Sequence, residues 1–143
     1  MANAAAMVKI TGEYQGDLHC IAIHGPSGQQ LITDAPKDNM GRGEAFSPTD
    51  LFATSFATCI ATTMAIVARK NGVELGKFRF EVTKEMSTDA PRRIARLATQ
   101  MWMPIPRSSP IATLMEKTAH SCPVHQSLST AVDAPVTFHW AAE

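Results

Sequence analysis

Short strand-like runs of apolar positions open the chain, from Val8 to Tyr14, from Leu18 to His24 and from Gln30 to Thr33. Gln15-Gly16-Asp17 and Gly25-Pro26-Ser27-Gly28 separate them with turn-forming residues, so this region predicts a three-stranded antiparallel meander. Residues 35–45 then carry Pro36, Asp38, Asn39, Gly41 and Gly43. A loop of that length and composition is the kind that carries function.

At Ser47-Pro48-Thr49-Asp50 the pattern changes period. Ser47 stands where an N-cap accepts from exposed backbone N–H groups, Pro48 takes the first helical position, and a carboxylate follows three residues after the cap. The predicted helix runs through Leu51, Phe52, Phe56, Cys59, Ile60, Met64, Ile66 and Val67 to a stop at Asn71-Gly72. It is apolar or small on nearly every face, which predicts burial on all sides, by a sheet on one and another helix or a second subunit on the other. Phe78, Phe80 and Val82 next alternate with Arg79, Glu81 and Thr83, and a run from Ala95 to Met103 follows the Asp89-Ala90-Pro91 turn, giving a long hairpin. Ser109-Pro110 opens a helix to about Ala119, Pro123 a short one through Leu128, and Val136 to Trp140 forms a last strand. With no repeat or linker in 143 residues, one domain over residues 1–143 is expected.

Charge narrows the partners. Thirteen basic residues balance thirteen acidic ones, leaving no electrostatic footprint for nucleic acid or anionic lipid, so small molecules or another copy are the expected partners. The segment Met1 to Met7 lacks the basic start and apolar core of a signal peptide. No uninterrupted apolar run reaches the roughly 20 residues of a membrane span, because Thr and Ser break the most hydrophobic stretch and Arg69-Lys70 close it. A soluble, cytoplasmic protein is expected. Its three cysteines, Cys20, Cys59 and Cys122, are an odd count in a chain long enough to fold without staples, which favours reactive thiols over a disulfide framework.

Cys59 lies some three turns into the central helix, beyond reach of the helix-start field, and Ser55, Phe56, Thr62 and Thr63 around it include no cation. An activating Arg or His has to come from elsewhere in the fold; otherwise the thiol packs as a small hydrophobe. Cys122 precedes Pro123 in an N-cap-like position, a setting that lowers a thiol pKa, with His120 and His125 flanking it as candidate bases. The spacing His120-x-Cys122-x-x-His125 also admits a metal site with Cys59 as a further ligand, although no paired C-x-x-C accompanies it. Cys20, His24 and His139 read as strand residues. Met101, Trp102 and Met103 line either an apolar pocket or the core.

Two segments resemble the OsmC/Ohr family of osmotically inducible and organic-hydroperoxide-resistance proteins. Ser47-Pro48-Thr49-Asp50-Leu51-Phe52-Ala53-Thr54-Ser55-Phe56-Ala57-Thr58-Cys59 is similar to the family's capped central helix ending on its reactive cysteine. His120-Ser121-Cys122-Pro123-Val124-His125-Gln126-Ser127-Leu128 is similar to its Cys-Pro-x-x-x-Ser-Leu segment. The resemblance implies an α+β fold in which two antiparallel sheet segments, about six strands in all, wrap a long central helix and a second helix in an intertwined homodimer. It implies that Cys59 attacks the peroxide O–O bond and becomes a sulfenic acid, that Cys122 resolves this as a disulfide, and that a dithiol such as a lipoyl group restores the enzyme. No cofactor or metal is implied. An arginine and a glutamate from loops activate the family's first cysteine. In the family's best-studied branches the glutamate stands ten positions before that cysteine, where this chain has Thr49, with Asp50 one place later. Glu44 can substitute, and Arg42 is the nearest arginine on a loop. The Thr49 departure keeps open a rival in which the same fold binds a small apolar ligand or thiol without turnover.

Overall fold

β1 (Ile10–Tyr14), β2 (His19–His24) and β3 (Gln30–Asp34) form the antiparallel meander in the order β1-β2-β3. The computed structural model describes residues 4–143. The β1–β2 turn needs three successive left-handed residues, Gly16, Asp17 and Leu18, at φ 83°, 53° and 61°. Glycine takes the first of these without strain. Residues 35–46 form a loop with one 3-10 turn at Lys37–Asn39, closed at its base by the Asp34 N–H donating to the Phe46 carbonyl at 3.1 Å. Gly41 is obligatory there, because a Cβ would fall 1.7 Å from the Ala35 carbonyl oxygen. The chain divides into two compact units, the first ending at Leu51 and the second running from Phe52 to Glu143. In the first, the buried residues are Asp34 and Ser47, both polar, while Ile10, Tyr14, Leu31 and Ile32 are exposed. Among its described residues that unit has no apolar core of its own.

The expected helix is α1 (Pro48–Lys70). The Ser47 N–H donates to Asp50 Oδ2 at 2.9 Å and the Asp50 N–H to Ser47 Oγ at 3.0 Å, a reciprocal capping box. Gly72 at φ 77° ends the helix, with the Val73 N–H returning to the Ala68 carbonyl. In the second unit Phe56, Ile60, Met64 and Ala68, four residues apart, form one buried stripe. Phe52, Ser55, Thr62 and Ile66 lie exposed on another face, so the helix is not covered on all sides within one chain. At 23 residues, with mean hydropathy 1.8 over its most apolar window, α1 has the length and composition of a membrane span; its buried stripe packs as that of a core helix.

β4 (Arg79–Met86) and β5 (Ile94–Pro106) make the long hairpin. α2 (Ala112–Ala119) and α3 (Pro123–Gln126) follow, then β6 (Val136–Ala141). β6 runs parallel to β5, pairing Met101 with Phe138 and Trp102 with His139, so the second sheet is mixed rather than antiparallel. The cause is the connection: a segment carrying two helices is long enough to bring the chain back in the direction of β5, which a tight turn cannot do. Leu97, Met101 and Met103 of β5, Met115 and Ala119 of α2, and Cys122 complete the core around the α1 stripe.

Candidate functional site

All three cysteines are free thiols. Cys59 is half-buried on α1, its Sγ 3.8 Å from Thr63 Oγ1 one turn on. Cys122 is fully buried, 0% exposed, at the N-cap of α3, where its extended backbone (φ −65°, ψ 154°) lets Sγ accept the His125 N–H at 3.4 Å. Cys122 belongs to the core cluster against which Cys59 packs, and the two thiols lie close enough to influence one another's protonation. Burial pushes the Cys122 thiol above its ordinary pKa, and Cys59 pushes it further; the N–H groups of His125 and Val124 pull the other way and lose. The N-cap position therefore does not make Cys122 the better thiolate, contrary to the sequence expectation. Local N–H donors are visible in sequence, whereas the desolvation that outweighs them arises only in the packed core.

The His125 ring lies 5.7 Å from the Phe56 ring, one turn before Cys59, and 5.9 Å edge-on from His120. Burial, then the neighbouring His120, lowers the His125 pKa, so its ring is neutral at pH 7. Its buried Nδ1 has no hydrogen-bond partner. Among the described residues no three His, Cys, Asp or Glu side chains converge as a metal-binding group, so the Cys/His spacing does not become a coordination shell. A cavity of about 610 Å³ opens beside α3, lined by His125, Leu128, Ser129 and Asp133 among others. Met101 and Met103 are core residues, whereas Trp102 is stacked between the Arg79 guanidinium at 3.6 Å and the His139 ring at 4.8 Å. Cys20 is half-buried on β2, opposite Tyr14 and Thr33.

Arg42 and Glu44 lie in the loop of the first unit, and both are tied to Asp34. That carboxylate accepts from His19 Nδ1 at 2.6 Å and from the Glu44 N–H at 3.2 Å, and the Arg42 guanidinium stands 3.9 Å away. His19, foremost, holds the Asp34 pKa below the usual carboxylate range; burial opposes this, and Arg42 and the Glu44 N–H add to it. Sequence reasoning missed Asp34 and His19. The signal was the register of the meander, which sets His19 directly opposite Asp34 one residue beyond the expected end of β3. Asp50 is the capping residue of α1, and Thr49 Oγ1 hydrogen-bonds Ser47 Oγ at 3.1 Å.

Two three-stranded sheets and three helices define an α+β protein in which a buried thiol, Cys122, and a half-buried one, Cys59, share one core. The family model for OsmC-like proteins matches residues 41–136, and the chain belongs to that family. A solved protein from Psychrobacter arcticus 273-4, described as an osmotic stress induced and detoxification response protein, is 39% identical over 96% of this chain and 98% of its own, with TM-score 0.84. The organic hydroperoxide resistance protein OsmC from Legionella pneumophila is 16% identical over 95% of this chain and 98% of its own, with TM-score 0.76. A Vibrio cholerae protein described as an organic hydroperoxide resistance protein, with captopril bound in one of its active sites, is 19% identical over 99% of each chain, also at TM-score 0.76. The last two likenesses establish the fold. No curated protein sequence matches this one.

Proposed function

We propose that the chain is a thiol-dependent hydroperoxide reductase of the cytoplasm, acting in oxidative stress defence. The observation that carries this reading is the fully buried Cys122 thiol in the core cluster against which the half-buried Cys59 packs, the two close enough to influence one another's protonation. Burial, with Cys59 beside it, holds the proton on Cys122, so the more accessible sulfur of Cys59 is the one assigned to attack. Cys59 sulfur attacks one peroxide oxygen, the O–O bond breaks, and the departing alkoxide takes up a proton to leave as alcohol, or as water from hydrogen peroxide. Cys59 is then a sulfenic acid. The Cys122 thiol displaces its hydroxyl, which leaves with the thiol proton as water, and a disulfide forms. A dithiol, by family resemblance a lipoyl group, reduces that disulfide and is itself oxidised to a cyclic disulfide. Arg42 is assigned the positive charge that activates Cys59, with Glu44 as the carboxylate that the family resemblance pairs with it, and two copies of the chain form the working unit.

Reduced protein treated with one equivalent of cumene hydroperoxide tests the reading by intact mass and free-thiol count. The wild type is expected to lose two thiols quickly, Cys122→Ser to stop at a trappable sulfenic acid on Cys59, and Cys59→Ser to keep its thiols. If all three cysteines stay reduced, or oxidise only as slowly as an ordinary thiol, the peroxidase reading fails. The Thr49 hydroxyl, bonded to Ser47 where the family resemblance implies a glutamate, then favours the non-catalytic binder of apolar ligands or thiols.

A further inference from the structure

A carboxylate 3% exposed at the end of a sheet whose apolar side chains face solvent is an unusual residue to bury. Asp34 is stable there because its surroundings are matched to a negative charge: the His19 imidazole at 2.6 Å, the Glu44 backbone N–H at 3.2 Å and the Arg42 guanidinium at 3.9 Å. Two of these three come from the 35–46 loop, and the third is the residue directly across the β2–β3 ladder. The backbone closes the same knot. The Asp34 N–H donates to the Phe46 carbonyl, the Ala35 N–H to the Leu18 carbonyl, and the Gly43 N–H to the Ala35 carbonyl, at 3.1, 3.0 and 3.3 Å. Gly41 is pressed onto Ala35 so closely that no side chain fits. A loop fastened to its own base in this way has little freedom in where it carries residues 42 and 44.

We infer that Asp34, held by His19, is the positioning residue of the candidate site: it fixes the loop that presents Arg42 and Glu44. The inference rests on the hydroperoxide-reductase reading for its consequence and on the first unit's geometry alone for its mechanism. Asp34 contacts the Arg42 guanidinium at salt-bridge distance and binds Glu44 only through its backbone, so it orients both without neutralising the Glu44 carboxylate. The 3.9 Å separation from a half-exposed guanidinium is a tether rather than a tight ion pair. Arg42 is thereby kept near one position with its charge still available.

The experiment measures the second-order rate of Cys59 thiol loss with cumene hydroperoxide in wild type, Arg42→Ala, Asp34→Asn and the double variant, together with tryptic cleavage after Arg42. Arg42→Ala is expected to slow the reaction about 10²-fold, as for loss of one charge-stabilising donor. Asp34→Asn should slow it about tenfold through misplacement. In the double variant Asp34→Asn should add nothing to the loss from Arg42→Ala, because it acts through that residue. Independently of activity, Asp34→Asn should speed tryptic cleavage of the folded protein after Arg42 several-fold, since the bond is protected only while the loop is fastened. If Asp34→Asn does not fold, His19→Ala tests the same knot with the same expectations. Wild-type rate and wild-type cleavage in Asp34→Asn overturn the inference and leave the function standing, as does a full additional loss in the double variant. Unchanged rate in Arg42→Ala removes the residue to be positioned and overturns it as well. A wild type that does not react with peroxide removes the function itself; accelerated cleavage alone then shows a loop clasp with no part in peroxide chemistry, which also overturns the inference.

Discussion

The Cys122 thiol shows how burial sets a protonation preference that sequence position alone leaves open. Cys122 has the N–H donors of a helix start, yet it sits at 0% exposure and keeps its proton because desolvation and the facing Cys59 together outweigh those donors. The same imbalance has a thermodynamic consequence. Since the folded state holds the Cys122 proton more tightly than the unfolded chain, its contribution to stability is complete below the unfolded thiol pKa, about 8.5. It is lost as the pH rises from there through the folded value. The melting temperature of reduced wild type should therefore fall between about pH 8 and 10 more steeply than that of Cys122→Ser, and thermal scans at a series of pH values check this. Parallel curves for the two proteins would mean that Cys122 titrates as an ordinary thiol. His125 belongs to the same environment: its neutral ring against Phe56 adds no positive charge that could offset the rise in the Cys122 pKa.

Among the elements, α1 is the one whose sequence and structure agree most closely, and its start separates capping from catalysis. Ser47 and Asp50 exchange two hydrogen bonds at 2.9 and 3.0 Å. Asp50→Ala is accordingly expected to lower unfolding free energy by about 1 kcal/mol, the usual cost of a lost cap, while leaving the rate of Cys59 oxidation within about twofold of wild type. Chemical denaturation and thiol-loss kinetics on one preparation check both parts, and a large loss of rate at unchanged stability would instead make Asp50 the stand-in for the glutamate that Thr49 replaces. Elements written in local pattern were legible from the sequence: the meander, the capped helix with its Asn71-Gly72 stop, the β4–β5 hairpin and the Pro123 turn each carry their own turn residues or caps. The parallel pairing of β6 was not legible, because Val136, Phe138 and Trp140 alternate the same way whichever direction the neighbouring strand runs. The sequence singled out Cys59 and Cys122 through their motifs, and the fold packs Cys59 against the core that holds Cys122. The tie of Arg42 and Glu44 to Asp34 depends on a register that ends one residue past the visible strand pattern.

At the scale of the whole molecule, the distribution of apolar side chains argues for a second copy. Among the described residues, the first unit buries only Asp34 and Ser47 and leaves Ile10, Tyr14, Leu31, Ile32 and Phe46 exposed, and α1 in the second unit leaves out Phe52 and Ile66. Soluble chains seldom leave this much apolar surface uncovered. Most homo-oligomers are two-fold dimers in which each patch meets its own copy, so one substitution acts twice. Ile66 is 48% exposed, and covering the remainder in both copies would contribute roughly 1.5–3 kcal/mol to association, by the usual worth of burying an Ile side chain. Light scattering coupled to gel filtration should then give twice the 15.4 kDa chain mass at micromolar concentration. Ile66→Asp should raise the dissociation constant by about 10–10²-fold, the factor that energy implies, and should make the melting temperature depend on protein concentration over a higher range than in wild type. A wild type that runs at 15.4 kDa at every concentration would refute the dimer, and with it the view that two copies form the working unit. A wild-type dimer unchanged by Ile66→Asp would move the interface off this face of α1 and onto the exposed side chains of the first unit.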